Sequence, residues 1–122
     1  MKLPIQYALS YPDRFPVAWE NTNFTDIKQL SFEAPDYHKF PALHLAYDVL
    51  KRGGTAPAIL NVVNEYAVYA FLKSQITFRD ISGFVEKALT ELPIIDHPTL
   101  QDVFDTEQSS RDFVERLVQQ RS

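Results

Sequence analysis

The sequence predicts a mainly α fold: a small C-terminal helical bundle preceded by a Pro/aromatic-rich arm with a short strand. Three observations carry this. Five of the eight prolines fall in the first 41 residues, where each removes a backbone donor and restricts its predecessor to extended geometry. From Pro41 onward the apolar residues recur at helical spacing. Within that stretch Gly53-Gly54 and Pro93 read as helix stops, Thr77 with Asp80 reads as a helix start, and Thr99 with Asp102 as the start of a short turn. The expected division is an arm over residues 1–40 and a helical domain over residues 41–122.

In the arm, Pro4 to Ser10 suits a short helix with Pro4 in its first turn, and Asp26 to Glu33 reads as a short strand with Ile27, Leu30 and Phe32 available for burial. Tyr7, Tyr11, Phe15, Trp19, Phe24, Phe32, Tyr37 and Phe40 give the arm more aromatic surface than a disordered tail carries, so it should lie on something. In the second half, Leu43, Ala46, Tyr47 and Leu50 make the apolar stripe of a first helix, with Asp48, Lys51 and Arg52 facing out. A second helix opens near Thr55, which can cap it, tolerates Pro57 in its first turn and runs to about Lys73. It is apolar on nearly every side, as the buried centre of a bundle would be. Ile81, Phe84, Val85, Ala88, Leu89 and Leu92 form the stripe of a third helix ended by Pro93. Thr99 and Asp102 should start a short turn carrying Leu100, Val103 and Phe104. Phe113, Val114, Leu117 and Val118 then edge a last helix.

Composition narrows the function. The formal charge of −4 comes from mixed, dispersed charges, whereas a nucleic-acid binder concentrates Lys and Arg on one face, so no nucleic-acid partner is expected. There is no cysteine, which rules out disulfides, thiolate metal sites and thiol nucleophiles, and is in keeping with a cytoplasmic setting. No apolar run approaches the ~20 residues of a membrane span, and the start of the chain lacks a signal-peptide pattern; no membrane association is expected.

Chemistry-bearing groups are sparse. His38, His44 and His97 match no helical metal spacing, and surface or cap roles suffice for them. Gly53-Gly54 follows a helix, whereas phosphate cradles precede one, although Thr55 to Ala58 could in principle offer amides to an anion. The one constellation of note is Asn61, Asn64 and Glu65, which a helix places together on an otherwise apolar surface. Two amides and a carboxylate could bind a polar ligand, with a buried glutamate as general base. The same groups could instead bond the open ends of neighbouring helices, and the lack of a second titratable group favours that structural role. No catalytic, cofactor-binding or metal-binding residue is therefore expected in this chain.

Met1-Lys2-Leu3-Pro4-Ile5-Gln6-Tyr7-Ala8-Leu9, Leu30 to Asp36 and Phe40 to Ala46 are followed by Gly53 to Ala58, Leu60 to Glu65, Ala70 to Leu72 and Ile76 to Ile81. In order and spacing these segments resemble the later part of the 1-deoxy-D-xylulose 5-phosphate reductoisomerase family. Ala42 stands where many members have cysteine, and Val62-Val63 where two alanines are common. The resemblance implies the C-terminal structural portion of an NADPH-dependent homodimeric enzyme. That enzyme turns 1-deoxy-D-xylulose 5-phosphate into 2-C-methyl-D-erythritol 4-phosphate, with Mg or Mn, in the non-mevalonate isoprenoid route. It also implies that the NADPH-binding and catalytic parts, the acidic metal ligands and the mobile loop lie upstream of the position matching Met1, so that this chain alone is inactive. Only Met1 matches a segment near the cofactor. The rival readings are a free-standing helical protein-interaction module using the aromatic arm, and a small enzyme centred on Glu65.

Overall fold

The protein is described by a computed structural model covering residues 2–19 and 22–121. Met1, the one position the resemblance places near a cofactor, lies outside the described residues. The chain divides into two compact units, Met1–Ala34 and Pro35–Ser122.

In the first unit, α1 (Lys2–Ser10) is the short helix the prolines allow. Its fold-back is held by Gln6, whose amide donates to the Phe15 carbonyl at 3.1 Å, and by the Arg14 guanidinium 4.4 Å over the Tyr7 ring. The expected strand over Asp26 to Glu33 is not there. Phe24–Ile27 instead close a helical turn, α2, whose start is capped by the Asn23 side chain, which accepts from the Thr25 amide at 3.1 Å. A strand needs a neighbour for its N–H and C=O groups, and the described residues contain no other strand. The unit has no buried residue in either helix, and Phe24 and Phe32 stand 72% and 87% exposed, so its aromatics are largely uncovered in this chain.

The second unit is a bundle of α3 (Pro41–Arg52), α4 (Ala56–Leu72), α5 (Phe78–Glu91) and α6 (Leu100–Gln119). Helix α4 touches the other three, as its all-round apolar sequence requires, and buries Ala56, Ile59, Val62, Val63, Ala67 and Ala70. Phe84, Val85, Ala88 and Leu89 of α5 and Phe113, Val114 and Leu117 of α6 complete the core. Thr99 and Asp102 start α6 reciprocally: the Asp102 amide donates to the Thr99 hydroxyl oxygen at 3.2 Å, and the Thr99 amide to the Asp102 carboxylate at 2.8 Å. At α5 the Asp80 carboxylate accepts from both the amide and the hydroxyl of Thr77, at 2.8 and 2.7 Å.

Three expectations need correction. The turn after Thr99 and the last helix are one continuous helix of 20 residues. The apparent gap between their apolar stripes is filled by Thr106 and Ser110, both buried, small polar residues that let α6 lie close on α4. In α3 the bundle receives Leu45 and Val49, while Leu43, Tyr47 and Leu50 are 40%, 53% and 75% exposed. Arg52 is exposed, as expected, and its guanidinium reaches across to donate to the Leu89 carbonyl at 3.1 Å, satisfying the last turn of α5. Finally, Thr55 stands at the N-cap of α4 but makes no side-chain cap. Its hydroxyl accepts from the Ile95 amide at 3.1 Å, while its own amide donates to the Ile95 carbonyl at 3.0 Å. Gly54, at φ 56°, permits this approach, because a Cβ there would run into the Ile95 carbonyl oxygen.

Thr55→Val keeps the shape of this buried side chain and strands the Ile95 amide, which should cost ~1–3 kcal/mol in urea unfolding; an unchanged midpoint would show that the contact carries little. The capping hydrogen bonds from Thr77 and Thr99 hold Asp80 and Asp102 below the usual carboxylate range, with Arg121, 2.9 Å from Asp80, adding a smaller attraction. A carboxyl lowered in the folded state contributes stability that is complete above its unfolded value and lost as pH falls through the folded one. The melting temperature should therefore drop as pH is taken below about 4. The Asp80→Asn/Asp102→Asn variant should flatten that drop, and an identical slope in the variant would refute the assignment.

Candidate functional site

A partly polar concavity of the bundle runs between α4 and α6, an open groove of ≈ 590 Å³. Helix α4 supplies Asn61, Glu65, Tyr66 and Tyr69 at one-turn spacings, and α6 supplies Glu107 and Arg111, themselves one turn apart. Asn61 and Glu65 of the sequence constellation thus share a groove, but Asn64 is not among its lining and stands exposed beside it. The Arg111 guanidinium lies 5.0 Å from the centre of the Tyr66 ring, and its Nε is buried without a hydrogen-bond partner. The Tyr69 hydroxyl donates weakly to Glu65 at 3.4 Å.

This geometry narrows what the groove can do. A glutamate serving as general base at neutral pH usually draws its basicity from burial, and Glu65 is exposed. Nor do Asn61 and Asn64 bond the open ends of neighbouring helices as the sequence suggested, because both stand on the uncovered side of α4. Tyr66, Tyr69, Glu107 and Arg111 were not identified from the sequence. Tyr69 lies one turn beyond Glu65 and was within reach of a spacing argument; Glu107 and Arg111 join the site only through the packing of α6 on α4.

The other candidates disperse. His38 lies exposed after Asp36, whose carboxylate accepts from the His38 and Lys39 amides. His44 pairs with Asp48 one turn on, at 3.2 Å, and His97 is exposed in the α5–α6 connection. Among the described residues no three His, Cys, Asp or Glu side chains come together as a metal would need. At the head of α4 the Thr55 and Ala56 amides are taken by the Ile95 and Gly53 carbonyls and Pro57 has none, so of the anion site conceivable at Thr55 to Ala58 three positions offer no free amide. Among the described residues no helix is long and apolar enough to cross a membrane.

Comparison with known proteins places the chain. The family described as "DXP reductoisomerase C-terminal domain" matches residues 1–113. The 1-deoxy-D-xylulose 5-phosphate reductoisomerase of Bacillus pumilus (strain SAFR-032) is 45% identical over 119 residues, which are 97% of this chain and 31% of that protein. The enzyme of the same name from Desulforamulus reducens is 43% identical over 118 residues, 97% of this chain and 30% of its own length. Among solved structures, the reductoisomerase from Zymomonas mobilis in complex with NADPH superposes with a TM-score of 0.82 at 41% identity, covering 96% of this chain and 31% of that one. A DOX-P reductoisomerase in complex with magnesium gives 0.81 at 29%, covering 97% of this chain and 32% of its own. The chain therefore spans about a third of the length of the proteins it matches.

Because Glu65 and Asn64 are exposed, Glu65→Gln and Asn64→Leu should each leave the unfolding midpoint of this chain within ~0.5 kcal/mol of its starting value. A loss of 2 kcal/mol or more, on the order expected for a buried polar group left unpaired, would restore the buried structural role read from the sequence.

Proposed function

From the premise that this chain belongs to the family of DXP reductoisomerase C-terminal domains, we propose that it is the C-terminal structural portion of an NADPH-dependent reductoisomerase. That enzyme converts 1-deoxy-D-xylulose 5-phosphate to 2-C-methyl-D-erythritol 4-phosphate in the non-mevalonate isoprenoid route of the cytoplasm. The observation that carries the reading is the match over nearly the whole chain, in sequence and in fold, to about the last third of enzymes of that name. We assign residues 1–40 to the end of the catalytic domain and a linking arm, and 41–122 to the C-terminal helical domain. The compact second unit beginning at Pro35 supports that assignment. The arm's exposed Phe24 and Phe32 fit a segment that packs on the catalytic domain of a homodimeric enzyme.

In this reading the chain supplies scaffold and no reacting group. Mg or Mn would bind through converging carboxylates, and the described residues do not fit it, since no such cluster forms. NADPH would need a phosphate cradle at the head of a helix, and at the head of α4 the Thr55 and Ala56 amides are taken and Pro57 has none. No step of the reaction is therefore assigned to these residues.

The 122-residue chain alone should show no NADPH binding at micromolar concentration by calorimetry and no metal-dependent NADPH oxidation with 1-deoxy-D-xylulose 5-phosphate. Grafted in place of the matching third of the Bacillus pumilus enzyme, it should preserve turnover, with Glu65→Gln in the graft close to the parent. Catalysis by the chain alone, or a graft that folds and is inactive, would overturn the reading. A graft rendered inactive by Glu65→Gln at unchanged stability would move Glu65 into the active site.

A further inference from the structure

From Lys28 to Asp36 the chain forms neither helix nor strand, and every residue from Thr22 to Phe40 is exposed. Among the described residues, no backbone amide from Leu30 to Tyr37 finds an acceptor. Phe32, in the middle of this stretch, is 87% exposed. Just ahead stands α2, a single turn of four residues that ends on Lys28 at a left-handed φ of 61°. A lone turn gains little from its few hydrogen bonds and opens locally at small cost. The boundary between the two compact units, at Ala34 and Pro35, falls within the same stretch.

These are the features that a protease requires of its substrate. It must draw several residues into extended geometry, which is easy where no backbone hydrogen bond is lost and hard inside a helix. We infer that the segment Lys28 to Asp36 is a proteolytic processing site, with Lys28–Gln29 the bond for a protease specific for basic residues. Water adds across that amide, leaving a carboxylate on Lys28 and an amino group on Gln29. The rival basic positions are held. Arg14 stacks over Tyr7, next to the Phe15 carbonyl that accepts from Gln6. At Lys39 the residue's own amide and that of His38 bond the Asp36 carboxylate. Lys73 closes α4, and its amide and those of Ser74 and Gln75 return to the Tyr69, Phe71 and Ala70 carbonyls. Lys51, Arg52, Arg79, Lys87, Arg111 and Arg116 lie inside α3, α5 and α6. The cut also leaves the bundle whole. Every buried residue among the described ones lies from Val49 to Leu117, and the fragment 29–122 keeps the Thr55–Ile95 bonds and both Thr/Asp caps. The product is therefore a folded bundle, which separates a processing site from the first step of degradation.

Brief exposure of the intact 122-residue chain to trypsin, and separately to chymotrypsin, tests this, with the first products identified by mass spectrometry. Trypsin should cut first after Lys28, and chymotrypsin after Leu30, Phe32 or Tyr37, each about tenfold or more faster than at any position from Pro41 onward. The fragment 29–122 should keep the melting temperature of the intact chain. Lys28→Gln should move the first tryptic cut to Lys39 and leave the chymotryptic one as it was. Thr55→Val should hasten the loss of the released bundle without changing the rate of the first cut, because a local opening does not draw on global stability. A first cut within the helices or at Arg14 would overturn the inference, and so would a released fragment that no longer melts cooperatively. A first cut made faster by Thr55→Val would route cleavage through global unfolding and overturn it as well.

Discussion

The bundle is organised around the clasp between Thr55 and Ile95. Two hydrogen bonds, one from each backbone amide, tie the turn between α3 and α4 to the connection between α5 and α6 across 40 positions of sequence. Thr55 is 1% exposed, so its hydroxyl and amide have no water to fall back on. The clasp fixes where α4 begins relative to the end of α5. It also explains why Gly54, and no side-chain-bearing residue, stands before it.

From that anchor the packing follows. Helix α4 has partners on three sides and uses alanine where they come closest: Ala56 and Ala67 are fully buried and Ala70 nearly so. Helix α6 answers with Thr106 and Ser110. The Ser110 hydroxyl is buried without a partner, a sign that small size rather than hydrogen bonding selects the residue there. Asn61, Asn64, Glu65 and Tyr69 lie on the remaining, exposed side of α4. The polar stripe on α4 is thus a consequence of the arrangement of its neighbours, and the groove with Arg111 is its margin.

Helix α3 and the first unit share a property that the core helices lack: more apolar surface than they bury. Leu50, Phe24, Phe32 and Leu9 are each at least 70% exposed. Scattered exposed apolar residues are ordinary, but a full stripe along one face of a helix is not.

Sequence by itself determined the helix count and most ends of the second half, because those are set locally. Pro41, Gly53, Pro93 and the Thr/Asp pairs at 77/80 and 99/102 act on backbone groups within a turn of themselves. It also carried the resemblance to the reductoisomerases, since order and spacing of short segments survive without any knowledge of packing. Periodicity misjudged α3 because it identifies an apolar face without identifying what covers it, and the stripe through Leu43, Tyr47 and Leu50 was assigned to a core it does not enter. It divided α6 because Thr106 and Ser110 count as polar in a pattern and as small in a helix crossing. The strand over Asp26 to Glu33 failed for a related reason, as extended backbone is stabilised only by a partner strand that these residues do not provide. Only the tertiary structure decided which face of each helix meets which neighbour, that Thr55 bonds Ile95 rather than capping α4, and that Arg111 comes to lie beside Tyr66. Each of these depends on contacts between residues dozens of positions apart, which the local pattern of a chain does not specify.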